Sequence, residues 1–469
     1  MFIGREKELN ALEKLYDSKK FEFAVVYGRR RVGKTSILSK FVVDKKAIYF
    51  TGIESNENQN LVNFSNAILD FTTSFSVDAA FPSFQSALDY VFRLSLKERI
   101  VLVIDEYPYV ARASKSLPST LQLLIDQYKE SSKLMLILCG SSMSYIEDHV
   151  LAYKSPLYGR RTAQFKILPC DFFESCRYIS SFNNEDKALI YGMMGGTAQY
   201  LNQVNENLSV SENIKNTFLN PISNIFEEPE NLLKQEVKEP YLYNAIISAI
   251  ASGASKLVDI ANKVGETSST CSQYIKNLIS LSILKKEYPY GEENTRKTIY
   301  RIDDNMFRFY FRFVPSNISL ISRGATDLVY KKIEPLLPDY MGKVFEDICQ
   351  QYMWHLLISD KLPITFADIG RWWGNNPLTK SQSEIDLMAR QDKETLLLGE
   401  CKWTSEKVDL NVLESLMARS KIFHGNNVYF YLFAKTGFTK GCMDYAQQNT
   451  NIFLISFKEM MEEMKVSKT

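Results

Sequence analysis

The chain has 469 residues, of which 45% are hydrophobic and 13% aromatic, and it carries 56 Lys and Arg against 55 Asp and Glu. This composition excludes a disordered chain, and the length allows three domains of ordinary size. The net charge of +1 excludes a global electrostatic attraction to nucleic acid, so any such binding must rest on local patches.

The numbers and spacing of cysteine and histidine limit the kinds of site that the chain can form. The seven cysteines form no C-x-x-C pair and no metal-finger spacing, which predicts reduced, mostly buried thiols. His149, His355 and His424 are too scattered for a zinc centre or a Ser-His site, and we expect them to be structural. The first residues do not resemble a signal peptide, and no run reaches about 18 consecutive apolar residues. We therefore expect a cytoplasmic protein without membrane contact, whose chemistry uses carboxylates, lysine and magnesium.

The first motif along the chain is a glycine-rich loop between an apolar run at residues 23–27 and an amphipathic helix predicted for residues 35–43. It satisfies G-x-x-x-x-G-K-[ST], which predicts a phosphate-binding loop rather than an ordinary strand-to-helix turn. Backbone N–H groups would surround the phosphates of ATP, Lys34 would reach the terminal ones, and Thr35 would offer its hydroxyl to Mg²⁺. The predicted nucleotide-binding residues are Gly28, Arg29, Arg30, Arg31, Val32, Gly33, Lys34, Thr35, Ser36 and Ser141.

A second apolar run, at residues 99–104, ends in Asp105 and Glu106. Its β-branched residues predict a buried strand of a parallel sheet, and the two acids at its end are typical of a Walker B strand. Asp105 is expected to hold magnesium through water, and Glu106 to orient or deprotonate the attacking water. The alternative is a core strand that ends in solvated carboxylates.

Polar residues also follow a third predicted strand, at residues 134–138. Ser141 or Ser142 can act there as a sensor of the γ-phosphate, although a Gly-Ser pair after a strand also suits a simple turn. Further along, Arg160 and Arg161 are candidates for stabilising transition-state charge, in cis or across a subunit contact. The alternative for both arginines is a solvated loop.

The order of the predicted elements indicates several domains. Strand-like runs, including one at residues 47–51, alternate with helical patterns, which is the signature of an α/β domain with a parallel sheet covered on both faces. After residue 165 the pattern becomes helical to about residue 238, and we interpret this part as a helical lid packed beside the nucleotide.

Three short helices are then predicted, at residues 241–251, 257–264 and 267–281. Strand-like stretches at residues 283–288 and 298–302 flank the polar turn 290–294, which contains Glu293 and Asn294, and complete a winged-helix pattern. The third helix of such a domain can enter a DNA major groove. It carries a single cation, Lys276, among Ser268, Ser269, Thr270, Ser272, Gln273 and Asn277, so protein contact is as good an interpretation as DNA binding.

A second group of charged residues lies near the end of the chain, where residues 383–389 and 395–403 are predicted to form a hairpin. Side chains alternate along a strand, so Glu400 and Lys402 share a face, and Asp386 on the partner strand can face them. Surface salt bridges between strands are the alternative. Because apolar residues surround these charges, partial burial and a functional site are also predicted.

Such a cluster can bind Mg²⁺, polarise a phosphodiester and activate a water molecule, with Lys402 placing that water or countering developing charge. Asp386 and Glu400 are the expected metal ligands and catalytic acids. Glu346, in a helical stretch upstream, is a candidate for a third metal ligand.

Together these residues resemble a family, the archaeal-type AAA-like P-loop ATPases of the STAND class, over nearly the whole chain. The matching stretches are residues 2–6, 28–35, 105–106, 195–197, 226–229, the winged-helix segment, 384–386 and 399–402. The last domain of that family has no known function and resembles the PD-(D/E)XK nuclease fold, whose pattern maps onto Glu346, Asp386, Glu400 and Lys402. The Pro that usually precedes the first acid is absent, since residue 385 is Ile.

The resemblance implies an α/β multidomain protein: a P-loop ATPase core at residues 1–165, a helical lid at 166–238, a winged-helix domain at 239–312, a linker at 313–335, and a nuclease-like α/β domain at 336–469. We predict that ATP controls a magnesium-dependent DNA nuclease, with DNA contacted by the last two domains. A homo-oligomer is compatible with this prediction. The alternative is a nucleotide-dependent switch or scaffold that binds DNA or a protein without cleavage. A transcription regulator is disfavoured by the sparse charge on the third helix.

Overall fold

The structure, a computed structural model, describes residues 2–72, 80–237, 239–292, 296–377 and 379–466. The chain divides into two compact units. Unit 1 comprises Met1–Cys170 and Thr197–Gln199, and unit 2 comprises Asp171–Gly196 and Tyr200–Thr469.

Unit 1 is built on a five-stranded sheet in the order β2-β3-β4-β1-β5, in which every pair is parallel. The central strands are apolar and buried along almost their whole length, as expected where helices cover both faces. The strands are β1 (Glu22–Tyr27), β2 (Ala47–Thr51), β3 (Ile100–Asp105), β4 (Leu134–Gly140) and β5 (Ala163–Lys166). The predicted parallel α/β sheet is confirmed.

Two apolar cores lie on opposite faces of this sheet. Along β1, Phe23 and Val25 belong to one core, whereas Ala24 and Val26 belong to the other. The helices of unit 1 are α1 (Glu6–Asp17), α2 (Lys34–Val42), α3 (Glu57–Thr72), α4 (Phe84–Ser95), α5 (Tyr107–Ala113), α6 (Leu117–Tyr128) and α7 (Met143–Ile146), with a π-helical turn at Glu147–Leu151.

The edge strand β5 has no counterpart in the sequence prediction. It has four residues, none of them buried, so it lacks the apolar run that revealed the other strands. Its pairing with β1 alone makes it a strand, and this contact joins residues about 140 positions apart.

Unit 2 begins with helices that pack into one core with much later residues. The helices before residue 337 are α8 (Phe172–Ser175), α9 (Asn184–Met194), α10 (Ala198–Leu201), α11 (Val210–Thr217), α12 (Asn224–Glu236), α13 (Pro240–Ala251), α14 (Leu257–Val264), α15 (Ser268–Ser280), α16 (Asn305–Phe313), α17 (Ile318–Ile321) and α18 (Thr326–Ile333), with 3₁₀ turns at Pro315–Asn317 and Glu334–Leu336. The antiparallel strands β6 (Leu284–Glu287) and β7 (Ile299–Ile302) follow α15. Two residues of the predicted turn between them, Glu293 and Asn294, lie outside the described residues.

Two of the expected domain boundaries differ from this arrangement. The expected helical lid clusters within unit 2, where Gly192 of α9 lies so near Met341 that an added Cβ would be 2.7 Å from its sulfur. The expected linker at residues 313–335 is helical, with Ile321, Val329 and Ile333 buried at helical spacing. Both stretches pack into the core that contains Met341, and such packing between distant residues is not encoded locally.

A second five-stranded sheet, in the order β12-β11-β10-β9-β8, ends the chain. Strands β10, β11 and β12 are parallel, whereas β8 and β9 are antiparallel additions. The elements are α19 (Leu337–Ile358), β8 (Ile369–Asn376), β9 (Ser381–Arg390), β10 (Thr395–Lys402), α20 (Leu410–Ser420), β11 (Asn427–Ala434), α21 (Lys440–Gln447), β12 (Ile452–Ser456) and α22 (Phe457–Val466). In the part of the chain that the structure describes, no helix is long and apolar enough to cross a membrane.

Candidate functional site

The loop between β1 and α2 depends on glycine at both ends. A Cβ on Gly28 would lie 2.3 Å from the carbonyl oxygen of Ile167, so no larger residue fits without a shift of the backbone. Gly33 adopts φ +99° immediately before α2, a conformation that glycine accepts at low cost. The loop therefore passes close to the β5 side of the sheet and delivers Lys34 as the first residue of α2.

The buried side chain of Lys34 folds back over this loop. Its Nζ donates to the carbonyl oxygens of Gly28 at 2.9 Å and Arg29 at 3.0 Å. Thr35 and Ser36 follow as exposed residues in the first turn of α2, and Val32 is buried. A positive charge and the N-terminal amides of a helix thus lie together, which is an arrangement suited to phosphate.

Asp105, at the end of β3, is a buried carboxylate that binds side chains from two other elements of unit 1. Its side chain is 2% exposed, and Oδ2 accepts hydrogen bonds of 2.9 Å from the Thr35 hydroxyl and the Tyr49 hydroxyl. Burial and the adjacent Asp105 carboxylate raise the pKa of Tyr49 far above its ordinary value, so Tyr49 stays a proton donor. The hydroxyl of Thr35 and the carboxylate of Asp105 are hard oxygen ligands of the type that Mg²⁺ prefers.

Glu106 has a left-handed backbone, with φ +51°, at the start of α5. Its carboxylate accepts from the hydroxyl of Ser141 at 2.5 Å and from the backbone N–H of Ser141 at 3.3 Å. Ser141 comes directly after β4, which is the neighbour of β3 in the sheet. Glu106, the predicted base, and Ser141, the predicted sensor, are therefore hydrogen-bonded to each other at one edge of the sheet.

The three arginines of the loop make different contacts. Arg29 is buried and donates to the hydroxyl of Thr197 at 3.2 Å, and Arg30 donates to the hydroxyl of Tyr109 at 2.7 Å. The carbonyl of Arg31 accepts from the backbone N–H of Gln199 at 3.4 Å. The segment Thr197–Gln199 thus belongs to the surroundings of the phosphate loop, although about 160 residues separate them.

Arg160 and Arg161 lie in a different setting from the loop arginines. Arg160 pairs with Asp126 at 2.6 Å and donates to the carbonyls of Pro156 and Tyr158. The guanidinium of Arg161 lies 5.9 Å from the ring centre of Tyr158. The structure therefore does not join either arginine to the phosphate loop.

Sequence reasoning missed Arg5, which braces the loop from the start of the chain. It is 6% exposed and donates to the carbonyl oxygens of Val32 at 3.0 Å and Leu168 at 2.7 Å. The sequence offered one signal, since residues 2–6, which include Arg5, are among the stretches that resemble the family.

The second group of charged residues lies on β9 and β10, whose antiparallel register pairs Gly399 with Leu387. Asp386 and Glu400 are 8% and 7% exposed. Asp386 accepts from the backbone N–H of Cys401 at 2.9 Å, while burial, Glu400 and Glu346 raise its pKa to about 7. Buried carboxylates thus converge here, which costs free energy unless cations compensate.

Basic side chains from other elements compensate these carboxylates. Glu400 accepts from Lys402 at 2.6 Å and from Arg419 of α20 at 2.8 Å. Glu346 of α19 pairs with Lys343 at 2.9 Å and with Arg371 of β8 at 3.4 Å. Burial alone would lower the pKa of Lys402, but Glu400 outweighs that effect and the pKa is raised.

This geometry differs from the three-carboxylate metal site that the pattern predicts. Among the described residues, no group of three or more His, Cys, Asp or Glu side chains is arranged to hold a metal ion. Glu346 and Glu400 instead each form ion pairs with basic side chains. Arg371 and Arg419 were missed as members of the cluster, because each lies far along the sequence from Glu346 or Glu400, the acid with which it pairs.

The fold and the phosphate loop define this protein as a P-loop ATPase-type α/β protein with a separate C-terminal sheet. The family described as an ATPase domain predominantly from Archaea matches residues 2–204, and a family of archaeal and bacterial proteins of unknown function matches residues 310–413. Uncharacterized protein MJECL04 of Methanocaldococcus jannaschii is 33% identical over 409 residues, which are 87% of this chain and 88% of that protein. The chain belongs to the same family as MJECL04, and its residues 2–204 match the archaeal ATPase domain that the sequence motifs predicted.

Solved structures give partial matches. The Walker-type ATPase PABY2304 of Pyrococcus abyssi has a TM-score of 0.49 and 19% identity, covering 66% of this chain and 96% of that one. The ORC2 protein of Aeropyrum pernix, in ADPNP and ADP complexes, has a TM-score of 0.47 and 14% identity, covering 68% and 94%.

Proposed function

We propose that this protein hydrolyses ATP with Mg²⁺ and that its nucleotide state controls a magnesium-dependent nuclease centre at Asp386, Glu400 and Lys402. The ATPase part is supported most directly by three residues at the end of the sheet. Lys34 and Asp105 are buried there, and the hydroxyl of Thr35 donates to the carboxylate of Asp105 at 2.9 Å. Bound Mg²⁺ would neutralise charge on the phosphates.

In this mechanism the residues of the loop bind and orient ATP. The amides of residues 28–36 donate to phosphate oxygens, and Lys34 exchanges its carbonyl partners for the terminal phosphates. Glu106 accepts a proton from the attacking water, and Ser141 holds the Glu106 carboxylate by two hydrogen bonds until that water is in place.

The nuclease part rests on carboxylates that converge on adjacent strands. Mg²⁺ usually binds through one or two protein carboxylates together with waters and substrate phosphates, so Asp386 and Glu400 suffice as ligands. Glu346 would join only after its ion pairs with Lys343 and Arg371 open. Lys402 would then orient water or counter the charge that develops on the phosphate.

Helices α13, α14 and α15 with β6 and β7 follow the order of a winged-helix domain, and we propose DNA as their partner. The exposed face of α15 carries Ser269, Ser272, Gln273 and Lys276. Because one cation neutralises little phosphate charge, the contact would position DNA weakly and depend only slightly on salt.

Cleavage of DNA tests the nuclease centre. Supercoiled, linear and single-stranded DNA would be incubated with wild type and Asp386→Asn, with Mg²⁺ or Mn²⁺, with and without ATP. Asparagine can still accept from the Cys401 N–H but loses the charge, and Glu406→Gln, at an exposed position, is the matched control. Cutting that requires Asp386 and responds to ATP supports the proposal.

A nucleotide-dependent switch or scaffold is the second candidate function. It is favoured by the basic partners of Glu346 and Glu400, which neutralise the cluster without a metal. The absence of cleavage under every condition above would select this alternative, whereas cleavage that persists unchanged in Lys402→Ala would remove Lys402 from the proposed centre. DNA or protein binding would then remain the output of the ATPase.

A further inference from the structure

Tyr49 of β2 lies on the face of the first sheet that α2 covers. Thr51 is the register partner of Asp105, and Tyr49, two positions before Thr51, points to the same face of the sheet as Thr51. The Tyr49 ring packs against the core that contains Phe41 of α2. One core therefore holds both the tyrosine and the helix that carries Thr35.

The two oxygens of the Asp105 carboxylate have different partners. Oδ2 accepts from the hydroxyls of Thr35 and Tyr49, each at 2.9 Å, whereas Oδ1 accepts from the backbone N–H of Glu106 at 2.9 Å. A carboxylate offers about four acceptor positions, two on each oxygen. The two hydroxyls therefore fill Oδ2, and the position that remains for a metal-bound water is on Oδ1.

The Tyr49 hydrogen bond also fixes the plane of this carboxylate. Asp105 is 2% exposed, and a buried charge that loses a donor becomes less stable and turns toward another one. Such a turn would move Oδ1 and would release the Thr35 hydroxyl, whose lone pairs are free for a metal only while its proton is donated to Oδ2. The geometry of both oxygen ligands thus depends on a residue from the neighbouring strand.

We propose that Tyr49 is a positioning residue for the magnesium site of the phosphate loop, where its hydroxyl occupies Oδ2 and leaves Oδ1 and the Thr35 hydroxyl aimed at the metal. Tyr49 acts through Asp105 and not on the metal itself. Partners that hold metal ligands from behind typically change metal affinity by roughly 10- to 100-fold when they are lost. The inference rests on the proposed binding of ATP with Mg²⁺ and adds the residue that orients its ligands.

Calorimetric titration of the full chain with ADPNP, an analogue that is not hydrolysed, tests the proposal. The affinity is measured with Mg²⁺ and with EDTA, and the ratio of the two affinities reports the contribution of the metal. Tyr49→Phe removes only the hydroxyl. Tyr128→Phe is the matched control, because the Tyr128 hydroxyl also donates to a carboxylate, that of Asp89 at 2.7 Å, and packs in the core on the other face of the sheet.

We expect the ratio to fall by roughly 10- to 100-fold in Tyr49→Phe and to keep its wild-type value in Tyr128→Phe. The affinity in EDTA should be the same in all three proteins, which also shows that Tyr49→Phe is folded. A merely structural role would weaken binding equally with and without Mg²⁺.

That equal loss would overturn the proposal, and so would a wild-type ratio in Tyr49→Phe. Either result leaves the proposed function in place, provided that wild type binds ADPNP more tightly with Mg²⁺. A wild type that binds equally with Mg²⁺ and with EDTA would refute the proposed magnesium site itself, and this inference with it.

Discussion

Asp105 shows how one side chain organises a site. It is buried, yet it accepts from Thr35, from Tyr49 and from the backbone N–H of Glu106. Three donors compensate the burial of a carboxylate, so the residue can lie in the core of the sheet and still present an oxygen at its edge. The Thr35 hydroxyl and the Glu106 backbone N–H thereby bind different oxygens of the same carboxylate.

Lys34→Ala is expected to abolish ATP binding, because the loop loses the charge that reaches the terminal phosphates. Titration with a fluorescent ATP analogue measures the affinity. Lys40→Ala, at an exposed position of the same helix, is the control and should bind like wild type. Equal affinity in Lys34→Ala and Lys40→Ala would contradict the assignment of the loop.

Glu106→Gln should retain ATP binding but lower turnover by about 10²-fold or more, since an amide cannot accept the proton of water. Release of phosphate under saturating ATP measures this turnover. Ser141→Ala, which leaves the carboxylate but removes one of its donors, should reduce turnover less. Unchanged hydrolysis in Glu106→Gln would refute its role as the base.

At the scale of elements, the phosphate loop comes into close contact with the segment after β5. Gly28 permits this contact because it has no side chain beside the carbonyl of Ile167. The strands before and after the loop were predictable from apolar runs. The four-residue strand β5 was not, because its residues become a strand only through pairing with β1.

Gly28→Ala should therefore destabilise unit 1 by about 1–3 kcal/mol, the usual cost of overpacking, and weaken ATP binding. Thermal unfolding with and without ATP measures both effects. Gly441→Ala, in α21 with open space around its Cβ position, should leave the melting temperature unchanged or slightly higher. A Gly28→Ala protein as stable as wild type would show that the loop can move away from Ile167.

At the scale of the whole molecule, the two proposed activities belong to different units. Control of one by the other requires two conformations that ATP and DNA favour unequally. Affinity coupling of this kind is reciprocal, because each ligand must change the binding of the other by the same factor.

We expect ATP and DNA to alter each other's dissociation constant by a common factor, of the order of 5- to 150-fold if the coupling is typical. Titrations of the Glu106→Gln protein avoid hydrolysis during the measurement. The Lys34→Ala protein is the control, in which DNA affinity should not respond to ATP. Independent binding of the two ligands to Glu106→Gln would remove the proposed control.

The sequence by itself determined the phosphate loop, the acids after β3 and the hairpin of β9 and β10, because these depend on residue spacing and on local backbone geometry. Only the tertiary structure decided which groups surround them. Arg419 meets Glu400 across 19 positions, and Arg29 meets Thr197 across 168. Such partners come together through the packing of whole helices and strands. The free energy of that packing comes from contacts throughout the apolar cores, and no short stretch of sequence specifies it.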